Sequence, residues 1–355
     1  MKNRSIVKRF FAIAAAGAMT LALCACNSGT ISSSDGPTVT VGGSGEPSQS
    51  GGDKTYKVAI IKQMDHASLD EIANAVAAEL EQLAADNGVK IEYEITSGQG
   101  GDQTILKQLA DQAVADKVDA IIPIATTAAQ ISVLSAEDSK TPVVFAAVSY
   151  PDDESVALTG IDYVTGTSDA LNAPFIIEMM LAQNPDLAKV GLLYSLSEPN
   201  SATPIAQAKA ALDAKGIPYV EATANTNDEV IAAASSLIAA GVDAVFTPTD
   251  NVIQSAELAI YEDFIAAGIP HYGGADSFAR NGAFVGCGVN YTQLGTHTAD
   301  LAYQAITQGM GDMEDYYLMQ GGLIAVNTET AAALGADYSV FNGMGTVTEV
   351  VTTED

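Results

Sequence analysis

No tryptophan occurs in the 355 residues, and only three cysteines do. Without indole rings the core has to rest on Ala, Ile, Val and Leu, and a sugar site built on ring stacking loses its best platform. Cys24 and Cys26 lie close to the start, so beyond them Cys287 stands alone and cannot form an intramolecular disulfide. Cationic side chains are also scarce: 15 Lys and Arg stand against 44 Asp and Glu, a formal charge of −29. Such a surface repels nucleic acid and anionic lipid. His66, His271 and His297 are too far apart for a metal motif, and no Gly-x-Ser-x-Gly elbow is present. The glycine-rich stretch 98–102 lacks both the Gly-x-Gly-x-x-Gly order and the Lys-Ser/Thr of a phosphate loop. No cofactor or metal is expected, and a hydrolase lacks a convincing nucleophile–base pair. These absences point to a binding module rather than an enzyme.

What is present begins with Lys2, Arg4, Lys8 and Arg9, followed by an almost wholly apolar run from Phe10 to Leu23. At about 14 residues this run suits a signal h-region and is short for a bilayer span. Leu23-Cys24-Ala25-Cys26 closes it, with Leu at −3 and Ala at −1 before Cys26, the lipobox pattern of bacterial lipoproteins. Residues 1–25 are therefore expected to be a signal peptide, with Cys26 lipidated. Residues 26–54, rich in Gly, Ser, Thr and Pro, are expected to form a flexible leash. The protein would then be extracytoplasmic and held at the cell surface by lipid alone. No second apolar segment is long enough to span a membrane.

From Tyr56 the chain alternates short apolar runs with amphipathic stretches. Tyr56–Ile61, Ile91–Ile95, Val118–Ile124 and Pro142–Val148 read as strands; Leu69–Ala85, Asp102–Asp116 and Thr126–Ala136 read as helices. Continuous apolar strands between helices imply a parallel sheet covered on both faces. The rhythm restarts after about residue 160, with strands near 188–194, 218–222, 242–246, 270–273 and 283–289. The fold class is thus α/β, two Rossmann-like doubly wound lobes with a ligand cleft between them. The first lobe is placed at 55–158 plus about 291–315 and the second at 159–290 plus about 316–350. Three crossovers, near 158–161, 288–291 and 316–324, would join them.

Ligands of open α/β sheets bind beyond the carboxyl ends of the strands. The polar residues there are Gln63, Asp65, His66, Gln99, Thr126, Thr127 and Ser149 in the first half, and Ser197, Asn200, Ser201, Asp250, Asn251 and Asp276 in the second. These form the candidate ligand-binding set. Each residue type also serves as a helix N-cap, the competing reading for any one of them. Acids beside hydroxyls and amides, without clustered Arg or Lys, suit a small zwitterion better than a phosphate or dicarboxylate.

Several short motifs run in order over nearly the whole folded region. They are Asp65-His66-x-x-Leu69-Asp70, Gly100-Gly101-Asp102, Ala125-Thr126-Thr127-Ala128-Ala129-Gln130, Leu193-Tyr194-Ser195 with Ser197-Glu198-x-Asn200-Ser201, Pro248-Thr249-Asp250-Asn251, Asp276-Ser277 with Gly282-Ala283, and Tyr291-x-x-Leu294-Gly295. The series resembles the ABC-transporter substrate-binding lipoprotein family that includes tryptophan/tyrosine-type receptors. The resemblance implies a type I periplasmic-binding-protein fold, an amino-acid ligand with an apolar or aromatic side chain, capture by lobe closure, and a membrane permease as partner of a monomeric protein. Related alternatives are a ligand-sensing lipoprotein receptor and a sugar- or nucleoside-binding protein of the same fold. One departure stands out. The family usually follows its fourth strand with Asp-Pro-Val and a longer glycine-rich segment, where this chain has Ser149-Tyr150-Pro151-Asp152-Asp153-Glu154. That loop is expected to face the cleft.

Overall fold

A computed structural model describes residues 54–353. The expected signal peptide, Cys26 and nearly all of the leash lie outside these residues. The chain opens with β1 (Thr55–Lys62), α1 (Ala67–Asn87), β2 (Lys90–Ser97), α2 (Gln103–Ala115), β3 (Ala120–Ile124), α3 (Thr126–Ala136), β4 (Val143–Phe145) and β5 (Val164–Ser168). It continues with α4 (Ala173–Gln183), β6 (Val190–Tyr194), α5 (Pro199–Lys215), β7 (Tyr219–Thr223), α6 (Asn227–Ala240), β8 (Ala244–Thr247), α7 (Asn251–Ala256), α8 (Tyr261–Ala267), β9 (His271–Gly273), α9 (Asp276–Arg280) and β10 (Val285–Gly288). It ends with α10 (Tyr291–Gln308), β11 (Tyr317–Leu318), β12 (Leu323–Asn327), α11 (Thr328–Leu334) and β13 (Thr346–Val350).

Two sheets result, in the orders β11-β5-β4-β3-β1-β2 and β13-β12-β10-β9-β8-β6-β7. The first is parallel throughout. In the second only β10 and β12 run antiparallel. The exception follows from the crossings: β10 ends where the chain leaves this lobe, and β12 begins where it re-enters, with Gly288 paired to Leu323. β3 and β4 are buried at every residue, as strands covered on both faces must be.

The first crossing differs from the expected 158–161. β5 still belongs to the first sheet, and the chain crosses at 169–172. Val164-Thr165-Gly166-Thr167-Ser168 has little apolar character, so nothing in its pattern announces a buried strand. β11 likewise belongs to the first sheet, and the remaining crossings fall at 289–290 and 319–322.

In each lobe the sheet order reverses beside its first strand, between β1 and β3 and between β6 and β8. These switch points aim the ends of β1, β3, β6 and β8 at the cleft. α10 returns to the first lobe and lies against α1, burying Leu294 and Ala299 with Ile72 and Val76. The contact is close because of Gly295, where a Cβ would come within 2.7 Å of both Ala75 Cβ and the Ile72 carbonyl. Gly295→Ala should therefore force the helices apart and destabilise the protein by about 1–3 kcal/mol, read as a lower thermal midpoint. An unchanged midpoint would show that the helices can separate freely.

Candidate functional site

The cleft is shut. Gln63 Nε2 donates to Glu198 Oε1 across it at 2.5 Å, and Ser68 Oγ meets Ser277 Oγ at 2.5 Å. His66 Nε2 lies 3.0 Å from Asn251 Oδ1, and Ser149 Oγ lies 3.1 Å from Thr249 Oγ1. At the rim Arg280 Nη2 pairs with Glu71 Oε2 at 2.8 Å. The unusual 149–154 loop takes part: Thr203 of α5 hydrogen-bonds the Asp153 carboxylate, and Tyr150 OH donates to the Leu171 carbonyl at 2.8 Å. The cavity between the lobes has about 360 Å³ of empty space, part of it open to solvent.

Of the expected residues, His66, Ser149, Asn200, Asp250 and Asn251 line this cavity. Asp250 has a second task, since it caps α7 by accepting from Ile253 N at 3.1 Å, and its Oδ2 accepts from Ser195 N at 2.6 Å and Ser201 Oγ at 2.7 Å. Gln63, Thr126, Thr127 and Ser201 are buried outside the lining. Gln63 Oε1 accepts from Thr127 N at 3.1 Å, which turns its amide nitrogen toward Glu198. Asp65 and Gln99 line a separate outer groove with Asn225 and Ser255. Ser197 hydrogen-bonds Ser195 and Asn225, and Asp276 pairs with Arg280 at 2.8 Å. None of these last four lines the closed cavity.

The sequence reading missed Asp169, Gln254 and Tyr291, with the apolar wall Leu69, Ile72, Ala275 and Phe278. Asp169 follows β5, the strand that went unseen; finding that strand would have found the residue. Tyr291 stands in the Tyr-x-x-Leu-Gly motif but follows the second crossing rather than an ordinary strand end. Two further lining residues, Ala125 and Ala147, have φ of 77° and 54°. Positive φ is unfavourable for alanine, and such strain collects at functional sites.

No Lys or Arg lines the cavity, yet Asp169 and Asp250 do and Glu198 lies beside them. Lys62, buried at the end of β1, is already paired with Asp65 at 2.7 Å and with Asp70. Burial pushes the Asp169 carboxyl above its ordinary range, against the hydrogen bonds from Ser149 Oγ (2.8 Å) and Tyr291 OH (3.0 Å). Burial and then the charge of Asp250 push Glu198 up to about 8. Burial also pulls His66 down to about 4, so its ring is neutral near pH 7. The tautomer follows from its neighbours. With Glu198 ionised, Asn251 Nδ2 donates to its Oε2 at 2.6 Å, so Asn251 Oδ1 is an acceptor and His66 Nε2 carries the proton. His66 Nδ1 is left as a bare acceptor without a partner. Asn200 Oδ1 and both polar atoms of the Gln254 amide are buried and unpartnered as well.

One further arrangement bears on the hydrolase alternative. Thr247 Oγ1, His271 and Glu257 form a chain of 2.8 and 2.9 Å, the order of a nucleophile, base and acid. All three are sealed in the core, with Phe264 and Phe278 against the imidazole, and none lines the cavity. Cys287 is equally internal, 3.5 Å from Met179 Sδ.

The raised Glu198 pKa has a definite sign. Between about pH 4.5 and 8 the folded state keeps a proton that the unfolded state has lost, so stability falls as pH rises through that window. Glu198→Gln cannot ionise and should gain several degrees of thermal midpoint on the parent between pH 6 and 8.5. Parallel melting curves across that range would contradict a buried, titrating Glu198.

Similar proteins agree with this geometry. A "Tyrosine-binding protein" from Clostridioides difficile (strain R20291) is 28% identical over 286 residues, covering 79% of this chain and 81% of its own. An ABC domain in complex with L-Trp from Streptococcus pneumoniae is 26% identical with a TM-score of 0.75, covering 83% of this chain and all of that one. A ligand-free, open substrate-binding protein with adhesive properties from Clostridium difficile is 25% identical, with 84% of this chain and all of that one covered. Its lower TM-score of 0.62 accords with the shut cleft described here. The two parallel-sheet lobes match type I periplasmic binding proteins. The family described as ABC transporter substrate binding protein matches residues 57–339, and the chain belongs to that family of binding proteins rather than to an enzyme family.

Proposed function

We propose that this protein captures an aromatic amino acid of the tryptophan/tyrosine kind by closing its lobes, and hands it to an ABC permease from a lipid anchor at Cys26. The observation that carries the ligand class is buried negative charge with no cation of the protein's own facing it. Asp169 receives the hydroxyls of Ser149 and Tyr291 and its own backbone amide, none of them charged. A buried carboxylate without a cation is costly, and an α-ammonium answers it. Asn200 Oδ1, unpartnered in the same cavity, is a second acceptor for that group. The α-carboxylate is assigned to the amino end of α3, where Ala125 lines the cavity and the Thr126 hydroxyl lacks a partner. Leu69, Ile72, Ala275 and Phe278 then hold the side chain. The names of the two relatives, tyrosine-binding and L-Trp-bound, favour the same class. A ligand touching both lobes drives closure by its greater affinity for the shut form.

Titration calorimetry against amino acids and simple sugars tests the ligand class. L-tyrosine or L-tryptophan should give saturable binding; tight sugar binding without any amino-acid response would sink the proposal. Asp169→Asn should weaken amino-acid binding roughly 10- to 100-fold, the worth of a charge-assisted hydrogen bond. Its thermal midpoint without ligand should hold or rise, because a buried charge is removed. Cys26→Ser should release the protein from membranes, and fatty-acid labelling that survives this change would exclude Cys26 as the anchor.

A further inference from the structure

Gln254 is the least explained side chain in the cleft. It sits mid-helix in α7, is 2% exposed, and has neither amide atom hydrogen-bonded. A buried primary amide with both ends unpaired is strongly disfavoured unless something arrives to pair with it. The residue lies one helical turn beyond Asn251, on the same face of α7. Asn251 is the group that holds His66 through Nε2 and so leaves Nδ1 as an open acceptor in the same cavity. The cavity therefore presents an acceptor from the first lobe and a donor–acceptor pair from the second, beside the apolar wall of Leu69, Ile72 and Phe278.

We propose that Gln254 and His66 read a polar atom on the ring of the bound amino acid, selecting phenol or indole over bare phenyl. The inference rests on the aromatic amino-acid reading above. A phenol hydroxyl can donate to His66 Nδ1 and accept from Gln254 Nε2 at once. An indole N–H satisfies one acceptor. A phenyl ring satisfies neither and leaves both side chains buried without partners, the arrangement by which binding sites reject an analogue that lacks a hydroxyl.

The test is calorimetry on the full chain with L-tyrosine, L-tryptophan and L-phenylalanine, repeated on Gln254→Leu and on the closer isostere Gln254→Met. The parent should bind L-phenylalanine at least about 100-fold more weakly than L-tyrosine, within what hydrogen-bond readout achieves. Either variant should lose about tenfold or more for L-tyrosine while L-phenylalanine stays within about threefold, at a thermal midpoint no lower than the parent's. Using two variants guards against one failing to fold. Equal binding of L-tyrosine and L-phenylalanine by the parent would overturn this inference and leave the aromatic reading standing. Proportional loss of both ligands in the variants would also overturn it, since a merely structural Gln254 behaves that way. No response to any of the three would remove the aromatic reading itself, and this inference with it.

Discussion

A carboxylate taken out of water costs several kcal/mol unless the protein answers it, and this cleft gathers Asp169, Glu198 and Asp250. Much of the local architecture is the answer. Asp250 and Glu198 sit at the amino ends of α7 and α5, where helix dipoles and free N–H groups favour negative charge. Gln63 is turned by the Thr127 amide so that its own amide faces Glu198. Asn251 is turned by Glu198, and Asn251 in turn sets which nitrogen of His66 bears the proton. A change of charge at Glu198 is thus felt two residues away, as a choice between donor and acceptor at the cavity wall. Asp169 alone has no helix end capping it and relies on two hydroxyls and its own backbone amide.

Closure itself is held by modest terms. The bonds that cross the cleft join mainly hydroxyls and amides, each worth about 0.5–1.5 kcal/mol net. The ion pair between Arg280 and Glu71 lies at the partly solvated rim, where such pairs contribute little. Apolar contact adds to them, since Leu69 and Ile72 of the first lobe share one buried cluster with Val252, Ala275 and Phe278 of the second. On the proposed closure mechanism, a ligand selects the shut form by its greater affinity for it.

Most of the architecture was legible because buried parallel strands carry continuous apolar runs and amphipathic helices a 3.6-residue period. β1, β3, β6 and β8 announced themselves this way, and the switch-point rule then placed Asn200, Asp250 and Asn251 at the cleft. β5 did not, since Val-Thr-Gly-Thr-Ser is buried by its neighbours rather than by its own hydrophobicity. Missing it displaced the first crossing and hid Asp169. Gln254 was invisible for another reason: a glutamine within a helix reads as solvent-facing, yet the fold leaves this one 2% exposed. Asp250 does line the cavity, but local pattern alone does not reveal that its oxygens also brace Ser195 and Ser201.

Because β5 stays in the first sheet, Asp169 stands on the pivot itself, at the head of the 169–172 crossing. Points on a pivot move least when the lobes swing. A ligand held there is held almost equally well open or shut, and equal grip on two states shifts neither. On the proposed mechanism the leverage would belong to groups that travel, such as Asn200 and Gln254 on the second lobe, which would reach a ligand docked on the first only after the swing. Docking and triggering are thereby assigned to different residues. A protein stripped of its travelling contacts would still hold its cargo, but like a hand that grasps without closing.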